Sequence, residues 1–180
     1  MGGSARGRNL HSPEGLEFRP TTGRVKEFIF NVLQSEVGDA NILDLFSGTG
    51  SLGIEALSRG ARHVTFVEQA PASLRLLREN LSICGFDSRA TLLPGDVFEQ
   101  VQRLGSAGSF FDLILADPPF KQNYRQNIVS TVSEAGVLGE DGILLIEHEQ
   151  HDPDAGGHAL VQKRQRRFGS CLVTLYGVSS

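Results

Sequence analysis

The stretch FDLILADPPF, Phe111 to Phe120, runs apolar and then stops on an acid, two prolines and an aromatic ring. An aspartate at the end of a buried strand, followed by two residues without an N–H, suits an amine whose lone pair is delocalised into a ring. Hydrogen bonds from the two N–H groups of such an amine, one to the Asp117 carboxylate and one to a backbone carbonyl, favour a pyramidal nitrogen. Its lone pair then points at an electrophilic carbon. Pro118 and Pro119 fix their own φ and restrict the residue before each, which holds that carbonyl still. Phe120 offers a face to an extruded nucleobase, a stack worth about 1–3 kcal/mol. Asp117 is also placed to take up the proton that the alkylated nitrogen loses. A rigid turn ending a strand, with Phe120 in the core, accounts for the same four residues without chemistry.

A second constellation lies upstream. ILDLFSGTGSLG, Ile42 to Gly53, reads as strand, glycine loop and helix, and Gly48 to Gly53 spell G-x-G-x-x-G. Gly48 and Gly50 let backbone approach a ligand, and the helix start offers free N–H groups. Glu68, at the end of the next strand, is placed to accept hydrogen bonds from ribose hydroxyls. Asp44 stands four residues before Gly48, with Phe46 and Ser47 between. A carboxylate there repels a pyrophosphate and suits an ammonium group, such as the methionine end of S-adenosylmethionine. Asp96, in Gly95-Asp96-Val97-Phe98, is placed to accept from an adenine amino group. The expected cofactor contacts are therefore Asp44, Phe46, Ser47, Gly48, Gly50, Glu68, Gln69, Asp96, Val97 and Asp117. Each acid also has a structural use: Asp44 as a loop cap, Glu68 and Asp96 as helix caps or first-turn acids.

Alternating elements position these groups. Val25, Phe28, Ile29, Val32 and Leu33 share one helical face after a threonine cap. Strands are expected at 41–46, 63–68, 90–93, 111–116 and 142–147, with helices at 51–59, 71–84, 97–104 and 123–135. ILLIE and DLILA are apolar without alternation, as buried parallel strands are. The tail holds two extended runs, 159–167 and 171–177, joined by a short FGS turn. The fold class that follows is α/β: a doubly wound, mostly parallel seven-stranded sheet with a C-terminal antiparallel hairpin. One domain over 1–180, made of an arm or hairpin at 1–20 and a catalytic core at 21–180, is the economical division.

The 180 residues are 39% hydrophobic with a net charge of −4, an ordinary globular composition with no overall pull toward a polyanion. The charge is uneven: QKRQRRFGS, residues 162–170, carries Lys163, Arg164, Arg166 and Arg167 without an acid. Arg6, Arg8, Arg19, Arg24 and Lys26 crowd the first 26 residues. Such clusters form either a phosphate-binding footprint or a solvated face. No run reaches the length of a spanning helix, and the N-terminus has no apolar signal region, so a cytoplasmic location without membrane contact is expected. Cys84 and Cys171 read as buried thiols in a reducing compartment. His148-Glu149-Gln150-His151 lacks the spacing of a zinc helix, so no metal is expected.

DLFSGTG, FVE and LADPPF resemble the class I S-adenosylmethionine-dependent methyltransferases of exocyclic amines, whose signature is (D/N)PP(F/Y/W). RPTTGRVKEFIFNVL, LDLFSGTGSLGIEALSRGA, LRENL and RRFGSCLVTLYGV are similar to the bacterial 16S ribosomal RNA (guanine-N2) methyltransferases, whose name carries guanine 966 as target. The likeness runs from about Gly2 to Val178. It implies S-adenosylmethionine as cofactor, a cofactor loop at Gly48 and Gly50, a ribose acid at Glu68, an adenine-side acid at Asp96 and catalysis by Asp117 to Phe120. Arg19, Thr21 and Thr22 of RPTT then lie near the active-site mouth. With Arg24, Lys163, Arg164, Arg166 and Arg167 they are the expected contacts to 16S ribosomal RNA, within a small-subunit particle and as a monomer. The chain departs from the family in Gly23, where an acid is common, in Asn9 for a frequent Lys, and in Phe120 for Tyr. An N6-adenine methyltransferase keeps the same mechanism on another base. A non-catalytic RNA-binding module would use the basic clusters alone, and a nicotinamide-dependent dehydrogenase would leave DPPF without a task.

Overall fold

The computed structural model describes residues 2–12, 23–119, 124–149 and 159–179. Seven strands form one sheet: β1 (Asn41–Leu45), β2 (His63–Glu68), β3 (Ala90–Pro94), β4 (Phe111–Ala116), β5 (Leu138–Glu149), β6 (Leu160–Phe168) and β7 (Cys171–Val178). Their spatial order is β3-β2-β1-β4-β5-β7-β6. The first five are parallel neighbours, and β7 runs antiparallel to both β5 and β6. The order reverses between β1 and β4, which opens a crevice at the C-terminal ends of those two strands.

Alternating side chains send each central strand into two cores. Ile42, Val64, Phe66, Leu113, Leu115 and Leu145 pack on one face with α1 (Gly23–Val32), α3 (Ser51–Ser58) and α4 (Pro71–Cys84). Leu43, Leu45, Val67, Ile114, Ala116, Leu144 and Ile146 pack on the other with α5 (Val97–Ser106) and α6 (Tyr124–Ala135). Both faces of β1 and β4 are thus covered, which is why their sequences are apolar apart from Asn41, Asp44 and Asp112. Truncating a fully buried side chain such as Ile114 to alanine costs about 2–5 kcal/mol.

Local chemistry sets the boundaries. Pro71 starts α4 at its first turn, and Gly85, at φ 73°, ends it in the left-handed region. The first helix departs from helical backbone at Leu33 and resumes as a short α2 (Gln34–Val37), and Phe30 joins its buried stripe. β5 begins at Leu138, four residues before Gly142 where the apolar run starts. An irregularity lies between its pairs Phe111–Leu138 and Leu113–Ile143. A Cβ on Gly142 would stand 2.8 Å from Leu138, so glycine permits that doubling back.

The described part of the N-terminal arm holds no strand, so no hairpin forms over residues 2–12. A 3-10 turn at Gly3–Ala5 docks on the end of α3 instead. The Ala5 N–H donates to Ser58 Oγ at 2.8 Å, that hydroxyl donates to the Gly2 carbonyl, and the Gly2 N–H donates to Glu55 Oε1. The threonine cap expected before α1 lies outside the described residues.

At the other edge, β6 carries a bulge between Gln162 and Arg164. Arg164 and Arg166 pair with Leu175 and Val173 and so share the α1 face, while Gln165 and Arg167 pair with Thr174 and Leu172 on the opposite side. Among the described residues no helix is long and apolar enough to cross a membrane.

Candidate active site at the C-terminal ends of the strands

Asp44 lies one residue inside the end of β1 and is 2% exposed. Its Oδ2 accepts the Gly53 N–H at 2.9 Å, which ties the first turn of α3 to the strand. Burial pushes its pKa up to about 8, the Gly53 bond opposes that rise, and the neighbouring Asp117 and Glu68 charges add to it. Asp44 therefore senses the acids at the ends of both neighbouring strands. Gly53 has a packing reason of its own: a Cβ there would stand 2.3 Å from the Phe66 ring.

Glu68 staples the glycine loop to β2. Its Oε2 accepts the Gly48 N–H at 2.8 Å and its Oε1 accepts the Ala70 N–H at 2.7 Å. Each oxygen keeps a second acceptor site, so these bonds leave capacity for ligand hydroxyls. Ser47 closes the same corner: its N–H donates to the Val67 carbonyl at 3.1 Å, and its single O–H is shared between the Asp44 carbonyl at 2.7 Å and the Val67 carbonyl at 3.1 Å.

The two loop glycines differ in their reasons. Gly48 has φ 55° and a Cβ there would meet no atom within 4 Å, so its surroundings are open. Gly50 has φ 85°, and a Cβ would stand 2.3 Å from Leu77 Cδ1 and 3.0 Å from Ile54 Cδ1. Close helix packing, rather than access for a ligand, requires glycine at 50.

Among the described residues, Phe46 is one of two non-glycine residues with positive φ, at 56°. A phenylalanine in the left-handed region is strained, and its ring is held by neighbours. Phe98 meets it edge-on at 6.2 Å between centroids and Tyr124 at 5.2 Å, while Phe98 and Tyr124 lie nearly parallel at 6.0 Å. The trio joins the residues following β1, β3 and β4. Sequence reasoning passed over Phe98 and Tyr124; the signals were an aromatic two residues past Asp96 and another four past Phe120.

Asp96 caps α5, its Oδ1 accepting from the N–H groups of Phe98 and Glu99 at 2.9 and 3.1 Å. Its Oδ2 makes neither bond. Val97 is 5% exposed within the α5/α6 core, so its side chain supports the helix, whereas Gln69 is exposed.

Asp117 follows β4 directly and is half-buried, with Pro118 buried and Pro119 exposed. Ala116 pairs with Ile146, so Glu147 on β5 stands level with Asp117. Glu147 is buried and accepts the Cys171 thiol proton at 3.1 Å. Burial, and then the charges of Glu147 and Asp117, push that thiol's pKa up, so Cys171 stays protonated. Glu147 was not legible as part of this edge, because ILLIE reads equally well as a plain strand end. Phe120, Arg19, Thr21 and Thr22 lie outside the described residues. Among the described residues no group of three or more His, Cys, Asp or Glu is placed to hold a metal ion. His148 is buried and bonded to Thr174, and His151 lies outside the described residues.

The basic residues divide. Arg164 and Arg166 lie over the Phe28 ring of α1 at 5.9 and 5.3 Å, and Phe28 packs on Phe168 at 4.9 Å. Arg24 is exposed, and Lys26 Nζ donates to Ser51 Oγ at 3.1 Å. Arg167 donates to the Gly169 carbonyl in the hairpin turn, and Lys163 sits at the bulge.

The family profile described as Conserved hypothetical protein 95 matches residues 1–177. YlbH of Bacillus subtilis (strain 168) is 33% identical over 178 residues, covering 98% of this chain and 96% of that protein. Ribosomal RNA small subunit methyltransferase D of Escherichia coli (strain K12) is 34% identical over 153 residues, covering 83% of this chain and 73% of that one. The solved structure of Escherichia coli yhhF matches with TM-score 0.87 at 30% identity, covering 100% of this chain and 97% of that one. The glycine loop, the acid-lined strand ends and the antiparallel hairpin thus sit in a chain that belongs to the Conserved hypothetical protein 95 family, beside proteins named ribosomal RNA small subunit methyltransferase D.

Proposed function

We infer that this chain methylates ribosomal RNA, at the exocyclic N2 amine of a guanine in 16S RNA, with S-adenosylmethionine as donor. The observation that carries the reading is the convergence of Asp44, Glu68 and Asp117 at the ends of three adjacent strands, at the point where the strand order reverses. Open α/β sheets bind ligands at that edge.

The residues fit the cofactor. Gly48 leaves its side of the loop open, Glu68 retains acceptor capacity for ribose hydroxyls, and the unused Asp96 Oδ2 suits an adenine amino group. Asp44 faces the ammonium end. Phe46, Ser47, Gly50, Gln69 and Val97 complete the expected contacts, Gly50 and Val97 through packing behind the loop and helix. When bound, the cofactor supplies an electrophilic methyl carbon on sulfur.

Asp117 accepts one N–H of the guanine amine, and the backbone carbonyl held by Pro118 and Pro119 accepts the other. Methylation of this nitrogen would leave it with a surplus proton, which Asp117 would take up or pass to water. Most of the acceleration comes from this alignment. Phe120 stacks on the extruded base.

Substrate RNA meets the face where Arg164 and Arg166 overlie Phe28, together with Arg24 and the RPTT residues Arg19, Thr21 and Thr22. Lys163 and Arg167 contribute from the hairpin tip and bulge. The substrate we assign is 16S RNA within a small-subunit particle, where other proteins shape the RNA that this surface meets.

The test is incubation with isotope-labelled S-adenosylmethionine and undermodified small subunits, naked 16S RNA or double-stranded DNA, then digestion and mass spectrometry of nucleosides. Label in N2-methylguanosine is the expected result. Label in N6-methyladenine, or none despite cofactor binding, refutes the assignment.

A further inference from the structure

Asn80 lies in the interior of α4 and is fully buried. Asparagine is a poor helix interior residue, so a tertiary reason holds it there. Its side-chain amide is occupied by two distant segments. Oδ1 accepts the His11 N–H at 2.7 Å, and Nδ2 donates to the His11 carbonyl at 3.1 Å. Nδ2 also donates to the carbonyl of Thr49, in the glycine loop, at 3.0 Å.

Pairing with both the N–H and the C=O of His11 imitates the contact one strand makes with another. The third bond carries that contact into the loop. Turning the amide half a revolution would set its oxygen against two carbonyls, so the three bonds define a single orientation. Lys26 supplies a second line to the same place through its bond to Ser51 Oγ. The two anchors flank residues 13–22 in sequence and reach Thr49 and Ser51, on either side of Gly50.

We propose that Asn80 is a positioning residue that couples docking of the N-terminal arm to the shape of the cofactor loop. The inference rests on the placement of S-adenosylmethionine against Gly48 given above. Coupling of this kind is reciprocal: whatever strengthens the docked arm strengthens cofactor binding by the same factor, and the reverse. RNA engaging the arm would then tighten the hold on the methyl donor, and departing RNA would loosen the spent product.

The experiment is a double-mutant cycle read as affinity for S-adenosylhomocysteine, by calorimetry, with Asn80→Ala, Leu10→Ala and the pair. Leu10 packs under the arm against the core and makes no bond to the loop. We expect each single change to weaken binding, Asn80→Ala by roughly tenfold and Leu10→Ala by about threefold, with the pair no weaker than Asn80→Ala alone. In turnover, Asn80→Ala raises the KM for S-adenosylmethionine and leaves kcat nearly unchanged. Effects that multiply independently overturn the proposal. Val132→Ala, in the opposite core, is the stability control. If it weakens binding as much per degree of Tm lost, Asn80 acts through stability alone and the proposal fails.

Should Asn80→Ala not fold, hydrogen exchange on the unaltered protein decides. Amides of residues 2–12 slow when S-adenosylhomocysteine saturates the site, and unchanged exchange there overturns the coupling. Glu68→Ala separates this idea from the one beneath it. Undiminished binding by that variant sinks the cofactor placement and the coupling with it, whereas lost binding beside an additive cycle sinks the coupling alone.

Discussion

Gly48→Ala and Gly50→Ala are nearly the same perturbation in sequence and opposite ones in space. Both positions have positive φ, which costs an alanine about 1–2 kcal/mol. At 50 the new methyl also falls 2.3 Å from the Leu77 side chain, itself fully buried, and 3.0 Å from Ile54. Overpacking of that kind adds about 1–3 kcal/mol. The total for Gly50→Ala is about 2–5 kcal/mol, and a domain of this size loses about 2–4 °C in Tm per kcal/mol. Thermal unfolding should therefore place Gly50→Ala clearly below Gly48→Ala. S-adenosylhomocysteine titration should rank them the other way, because the methyl at 48 enters the open side of the loop. There we expect at least tenfold weaker binding, with a smaller loss per folded molecule for Gly50→Ala. Equal Tm values, or unaltered binding by Gly48→Ala, would refute the division of labour between the two glycines.

Asp117→Ala should retain cofactor affinity within a few-fold while turnover falls by about 10²–10⁴, read by single-turnover methyl transfer; lost affinity with intact turnover per bound cofactor would contradict its role. Asp44 has a native pKa of about 8 against about 3.9 unfolded, so the native state binds more protons between those values. The stability this contributes is full below about pH 4 and is lost as pH rises toward 8. Asp44→Asn removes that dependence, so its urea midpoint relative to the unaltered protein should rise between pH 5 and pH 8. Replacing Lys163, Arg164, Arg166 and Arg167 by Gln should weaken RNA binding and flatten its salt dependence, measured by filter binding across 50–200 mM salt; an unchanged slope would remove the hairpin from the interface.

The order of elements was legible because apolar strands alternate with amphipathic helices and every glycine loop falls between them. Asp44, Glu68 and Asp96 were legible as a set, and Asp117 beside them at the switch point, because strand ends in such sheets share one edge. What they bond was not. Asp44 and Glu68 accept backbone N–H groups nine and twenty residues away, and a linear pattern carries no trace of such pairings. Asp96 as a cap for α5 was one of two readings, and its geometry realises that one. Glu147 and Asn80 were passed over because their types fit a strand end and a helix, so only tertiary neighbours mark them. The four basic residues near 165 read as one cluster, and the chain divides them between two faces.

That division has a consequence for how the hairpin can vary. The turn pairs Phe168 with Cys171 and so fixes which way Arg164 and Arg166 face, while the extra residue Lys163 lets Leu160 to Gln162 keep their own partners on β7. The side of the molecule that carries guanidinium over Phe28 is thus encoded by a residue count as well as by residue identity. Swapping one basic side chain for another is a mild change here. A single-residue deletion between Arg166 and the turn leaves the strand paired and its composition almost intact while moving Arg164 and Arg166 to the far side of the sheet, so the length from these arginines to the turn is the property that inheritance must hold fixed.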